Sequence, residues 1–109
     1  MRRPLRFLAH KLNLDEKQVA ELARIINELK TERAQAEVDR RRTVAALADA
    51  VASDEYQEQH TAHAGMLRVQ SAERLQNAIA NALKQIHTML KTEQRERFAY
   101  LIRSGTVNL

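Results

Sequence analysis

His60 and His63 are the pair of side chains in this 109-residue chain whose spacing most directly suggests chemistry. On a helix they share one face, and two imidazoles so placed can chelate a divalent ion such as Zn, Cu, Ni or Co. Met66, or an acid across a turn such as Asp49, could add a ligand. A zinc site wants at least three converging protein ligands, and there is no cysteine to help supply them. The plainer reading is two amphipathic residues near a hairpin tip. The run Arg40-Arg41-Arg42 is the other conspicuous feature. Three consecutive helical residues span more than half the circumference, so they form no single patch. Glu37 can pair with Arg41 four residues on, and Asp39 with Arg42 three residues on, which makes a solvated, self-paired surface. The chain holds no glycine-rich phosphate loop, no nucleophile elbow and no His-Glu-x-x-His, so no catalytic residue is expected and no cofactor is required.

The elements that would carry these residues are helical. Two glycines, one proline, no cysteine and an abundance of Ala, Leu, Glu, Gln, Lys and Arg describe a single, nearly all-helical domain. Pro4 suits a first helical turn, and Leu5, Leu8 and Leu12 follow at helical spacing, so residues 4–12 are expected to form a short amphipathic helix. Asn13 breaks it. Asp15 with Gln18 makes a capping-box arrangement that opens a long helix over 15–52. Val19, Leu22, Ile26 and Leu29 form its partner-facing seam, with Ile25 beside them. The same spacing projects onto Arg33, Ala36, Arg40, Thr43, Leu47 and Ala50, so the seam turns polar midway. Ser53, ahead of Asp54 and Glu55, is expected to cap a second long helix over 54–90, with Gly65 as a weak point. Thr92 is expected to cap a short helix over 92–104, which Gly105 stops. Folding at 52–54 places residue k beside residue 106 − k. The chain is therefore expected to be a short-long-long-short arrangement built on a long antiparallel hairpin, in which little surface is buried without a partner or a second copy.

That register brings together two similar segments. Leu14-Asp15-Glu16-Lys17-Gln18 and Leu90-Lys91-Thr92-Glu93-Gln94 both read Leu-x-x-x-Gln, and both arrive at the end where Leu22, Ile26, Ile79, Leu83 and Ile86 make the core. A leucine, a threonine, two variable residues and a glutamine, written twice in a four-helix chain, is the mark of the Spy/CpxP superfamily. "LNLDEKQ" resembles its first copy and "MLKTEQRERF" its second, and the helix order is also similar. The threonine positions are Asp15 and Lys91 here. Asp15 can still cap, whereas Lys91 cannot. Leu14, Asp15, Gln18, Leu90, Thr92 and Gln94 are thus the motif residues.

The resemblance implies an envelope protein of Gram-negative bacteria, periplasmic or anchored to face the periplasm. It implies an antiparallel, cradle-like homodimer. Some members act as chaperones without ATP, holding unfolded clients on the concave face. Others sense or buffer metal stress, and association with a sensor protein is also implied. Unfolded envelope proteins are the expected partners, with Arg33, Arg40, Met66, Leu67 and Arg74 as candidate client-binding residues on a polar, basic surface. The alternative is a heavy-metal sensor on the same scaffold, with metal at His60 and His63. Charge sets a further expectation. Residues 1–14 hold Arg2, Arg3, Arg6 and Lys11 and no acid, which accounts for the whole net charge of +4. Residues 1–3 form a basic arm that could attract nucleic acid, anionic lipid or acidic protein. No recognition helix is apparent, so no specific nucleic acid is expected. Met1 leads straight into Arg-Arg-Pro, compatible with a missing upstream segment that carries an export signal or anchor and brings the chain near a membrane.

Overall fold

A computed structural model describes residues 3–109. The described residues form four helices with short connections: α1 (Arg3–Lys11), α2 (Glu16–Ala52), α3 (Glu58–Met89) and α4 (Thr92–Arg103). The chain is all-α, and α2 and α3 pack against each other as a hairpin. The expected basic arm, residues 1–3, lies outside the described residues except for the backbone of Arg3, which opens α1.

Each boundary has a local cause. Asn13 takes the left-handed conformation, with φ of 50°. There its N–H donates to the His10 carbonyl at 3.2 Å, and the Leu14 N–H donates to the Ala9 carbonyl at 3.0 Å. This pair of bonds satisfies the last carbonyls of α1, and asparagine tolerates the conformation that it requires. Gly105, with φ of 78°, ends α4 in a comparable way. The turn between the long helices lies later than the sequence suggests. The Ser53 hydroxyl donates within bonding distance of the Ala50 carbonyl at 2.8 Å and the Glu55 carbonyl at 2.9 Å, so Ser53 closes α2 instead of capping α3. α3 consequently begins at Glu58, not 54. The hairpin register shifts with it: Gln18 meets Met89, and Asp39 meets Ser71.

The described chain divides into two compact units. One comprises Met1–Leu29 with Ile79–Leu109, and the other Lys30–Ala78. The first holds the large apolar core. Leu5, Leu8 and Leu12 of α1, Leu22 and Ile25 of α2, Ala82 and Ile86 of α3, Leu90, and Phe98 and Leu101 of α4 are buried together. Leu14, Val19, Ile26, Leu29, Leu83, Ile102 and Val107 pack around them. Each large side chain so buried contributes roughly 1.5–3 kcal/mol of hydrophobic stabilisation. In the second unit, the buried residues are small: Thr43, Ala50 and Ala64. Large apolar side chains stand outside it, among them Val51, Tyr56, Met66 and Val69.

The seam of α2 corrects one expectation. Ile25, only 1 % exposed, is the buried member of the Ile25–Ile26 pair, and Ile26 is half-buried. Stepping on from Ile25 by heptads places Glu32 and Asp39 inward, instead of Arg33 and Arg40. Both arginines are exposed, while Glu32 and Asp39 are partly buried. The positions shared by the two readings, Leu22, Leu29, Ala36, Thr43 and Ala50, are all at least partly buried.

Gly65 lies within the unbroken run of α3. A Cβ added there would meet nothing within 4 Å. Alanine would lower the conformational entropy of the unfolded chain without a clash, so Gly65→Ala should stabilise the protein by about 0.5–1 kcal/mol. A thermal melt followed by circular dichroism checks this; a lowered midpoint would mean that this position needs a residue without a side chain.

Candidate functional site

In the first unit the two Leu-x-x-x-Gln segments meet through their glutamines. Asp15 caps α2 in full: its carboxylate accepts from the Gln18 N–H at 2.8 Å, and its own N–H donates to Gln18 Oε1 at 3.0 Å. At α4 the cap position belongs to Lys91, whose backbone is extended, with φ of −79° and ψ of 166°. Thr92, expected to cap, is instead the first helical residue. A lysine side chain has no acceptor, so only one arm of the box forms, from the Lys91 N–H to Gln94 Oε1 at 2.9 Å.

Each glutamine then reaches across to the other. Gln18 Nε2 donates to Gln94 Oε1 at 2.8 Å, and Gln94 Nε2 donates to Gln18 Oε1 at 3.2 Å. The remaining donors follow the same rule from both sides. Gln18 Nε2 bonds the carbonyl of Met89, the residue just before Leu90, at 3.0 Å. Gln94 Nε2 bonds the carbonyl of Asn13, the residue just before Leu14, at 3.3 Å, and that of Leu12 at 3.2 Å. The arrangement has the form of a local pseudo-twofold. Every donor and acceptor of both amides is used, which allows Gln18 to be buried at 8 % exposure. Leu90 is buried and Leu14 half-buried against the same core. These motif residues position helices.

The second unit holds a different polar cluster, which sequence reasoning missed. Asp39 points between α2 and α3 with its side chain 17 % exposed. Its carboxylate accepts from Gln35 Nε2 at 3.0 Å and from the Ser71 hydroxyl at 2.9 Å, and Arg74 Nη1 lies 3.9 Å away. Leu67, Gln70, Arg42 and Arg74 line the groove beside it. The Gln35 and Ser71 hydrogen bonds hold the Asp39 carboxyl below the usual carboxylate range, with Arg74 and Arg42 adding attraction and partial burial opposing them. Choosing Ile25 as the seam residue is the signal that would have found this cluster.

The other candidate residues are dispersed. Arg40 is bound by Glu37 on its own helix, at 2.8 Å, and Arg41 lies 3.5 Å from the same carboxylate. Asp39, expected to pair with Arg42 by an ion pair along α2, turns instead to Ser71 and Gln35 on the inner side. Met66 is exposed, Leu67 half-buried, and Arg33 exposed. His60 and His63 are both exposed on α3. Among the described residues, no group of three His, Cys, Asp or Glu side chains is placed to hold a metal ion.

The direction of the Asp39 shift yields a pH dependence. Its folded pKa lies below its unfolded value. Its contribution to stability is therefore complete above about pH 4 and is lost as pH falls through the lower folded value. Asp39→Asn removes the titrating group. Urea midpoints of the two proteins should differ at neutral pH and converge on acidification; a difference that stays constant down to acid pH would mean the charge of Asp39 contributes nothing.

The LTXXQ motif family matches residues 1–101. No curated protein and no solved structure matches the chain significantly. That family is the Spy/CpxP type and is generally periplasmic. Among the described residues, no helix is long and apolar enough to cross a membrane. With both copies of Leu-x-x-x-Gln joined at one end of a helical hairpin and the match spanning nearly the whole sequence, the chain belongs to the LTXXQ motif family.

Proposed function

We propose that this protein is an ATP-independent chaperone or stress-response modulator of the periplasm, and that it holds unfolded envelope proteins on the second unit. The composition of that unit carries the reading. Val38, Val44, Val51, Tyr56, Met66 and Val69 are exposed on it, while the residues buried within it are Thr43, Ala50 and Ala64. Arg33, Arg40, Arg41, Arg42 and Arg68 are exposed on the same two helical segments. Separate apolar side chains among exposed cations suit weak, sequence-tolerant binding: charge draws an unfolded acidic chain in, and each apolar contact adds a little affinity. The same thinness of core supports a homodimer, because two helices whose fully buried residues are all small gain from a second copy. No catalytic role and no cofactor enter this reading.

Metal sensing on the same scaffold is the second reading. His60 and His63 support it by spacing alone, since among the described residues no third His, Cys, Asp or Glu side chain is placed to join them. The client-binding reading rests on more residues.

The purified protein should suppress aggregation of two unrelated unfolding clients without nucleotide. Met66→Asp with Val69→Asp should weaken suppression several-fold while leaving the helical content unchanged. Absence of suppression at several-fold excess of the protein would overturn the reading, and full suppression by the double variant would remove the assigned surface.

A further inference from the structure

The outward side of α1 and α4, in the first unit, differs in kind from the surface assigned to clients. The inner side of α1 is committed to the core through Leu5, Leu8 and Leu12. Its outer side therefore presents Arg6, Phe7, His10 and Lys11, all exposed. Phe7 is 38 % exposed, and Lys11 Nζ lies 5.9 Å from its ring centroid, so the ring is held among cations at the surface. On α4, Phe98 and Leu101 face inward, leaving Arg97, Tyr100 and Arg103 exposed. Arg97 Nη1 donates to the Lys11 carbonyl at 3.2 Å, which joins the two outer sides. Gln94 meets Leu12 and Asn13, and Arg97 meets Lys11, so the first turns of α4 lie against the end of α1.

We propose that this surface docks on an anionic phospholipid bilayer. Charge complementarity identifies the occupant. Residues 1–14 contain no acid, and the whole net charge of the chain resides there. Phe7, beside Lys11, and Tyr100, at helical spacing between Arg97 and Arg103 on α4, are suited to the headgroup boundary, where an aromatic body meets apolar chains and a polar edge or neighbour stays wet. Two rings are too few for deep insertion, so the contact is peripheral, electrostatic and salt-sensitive. A nucleic acid fits less well. α1 has nine residues and offers no continuous track along which successive phosphates of a nucleic-acid backbone could be met. The surface lies in the first unit and the proposed client-binding residues in the second, so the two readings stand or fall separately.

Flotation of the 109-residue protein with phosphatidylglycerol–phosphatidylcholine vesicles tests the proposal. The protein should float with these vesicles at low salt, stay behind at high salt, and ignore pure phosphatidylcholine. Reversing three exposed cations, Arg6→Glu, Lys11→Glu and Arg103→Glu, should lower partitioning about tenfold or more. Arg6→Lys with Arg103→Lys should retain it, and circular dichroism should show the same helical content in all three proteins. Absent binding to the anionic vesicles, equal binding to neutral ones, unchanged binding of the charge-reversed variant, or tighter salt-sensitive binding to a duplex oligonucleotide would each overturn it.

Discussion

A buried primary amide is tolerable only when both its donors and both its acceptor sites are occupied. Gln18 and Gln94 meet this condition by occupying one another. Each oxygen accepts from the N–H at the start of its own helix and from the other glutamine. Each nitrogen donates to the other glutamine and to a backbone carbonyl that ends the helix before the other motif. Glutamic acid would lose the donors and turn a carboxylate toward carbonyl oxygens. Asparagine is one methylene shorter. The repeated glutamine is thus required by reciprocity: each copy completes the other.

The consequences run outward from this pair. The bonds to Met89 and to Leu12 and Asn13 fix the chain ends from which α2 and α4 depart. With those ends fixed, Leu14 and Leu90 drop into the core, and α1 and α4 lay Leu5, Leu8, Leu12, Phe98 and Leu101 over α2 and α3. The substitution of Lys91 at a capping position is tolerable for the same reason. The missing side-chain acceptor costs one arm of the box, but Gln94 still binds the Lys91 N–H and remains held by Gln18. A motif that looks like two helix starts is therefore a single tertiary clasp.

What could be read in the sequence was largely what is local. The helix order, the break at Asn13 and the Asp15–Gln18 capping box each depend on neighbours within one turn. The failures came where two local choices were nearly equal. Ile25 and Ile26 have the same hydrophobicity, and only packing reveals that Ile25 is the inner one; this shifts the inward position from Arg40 to Asp39. Ser53 can cap a following helix or close a preceding one, and its two hydrogen bonds to Ala50 and Glu55 decide for the latter. The spacing of His60 and His63 was visible, but spacing carries no information on whether a third ligand converges. The pairing of Gln18 with Gln94 spans 76 positions, and only the repeat itself hinted that the two belong together.

Reciprocity between the two glutamines has a direct thermodynamic measure: a double-mutant cycle with Gln18→Ala and Gln94→Ala, read by urea denaturation. Each single change leaves the other amide with unpaired groups and should cost about 1–3 kcal/mol. The double variant should cost little more than either single one, giving a coupling energy of about 0.5–3 kcal/mol. Costs that simply add would contradict the account, because the two copies of the motif would then be stabilising their own helices independently.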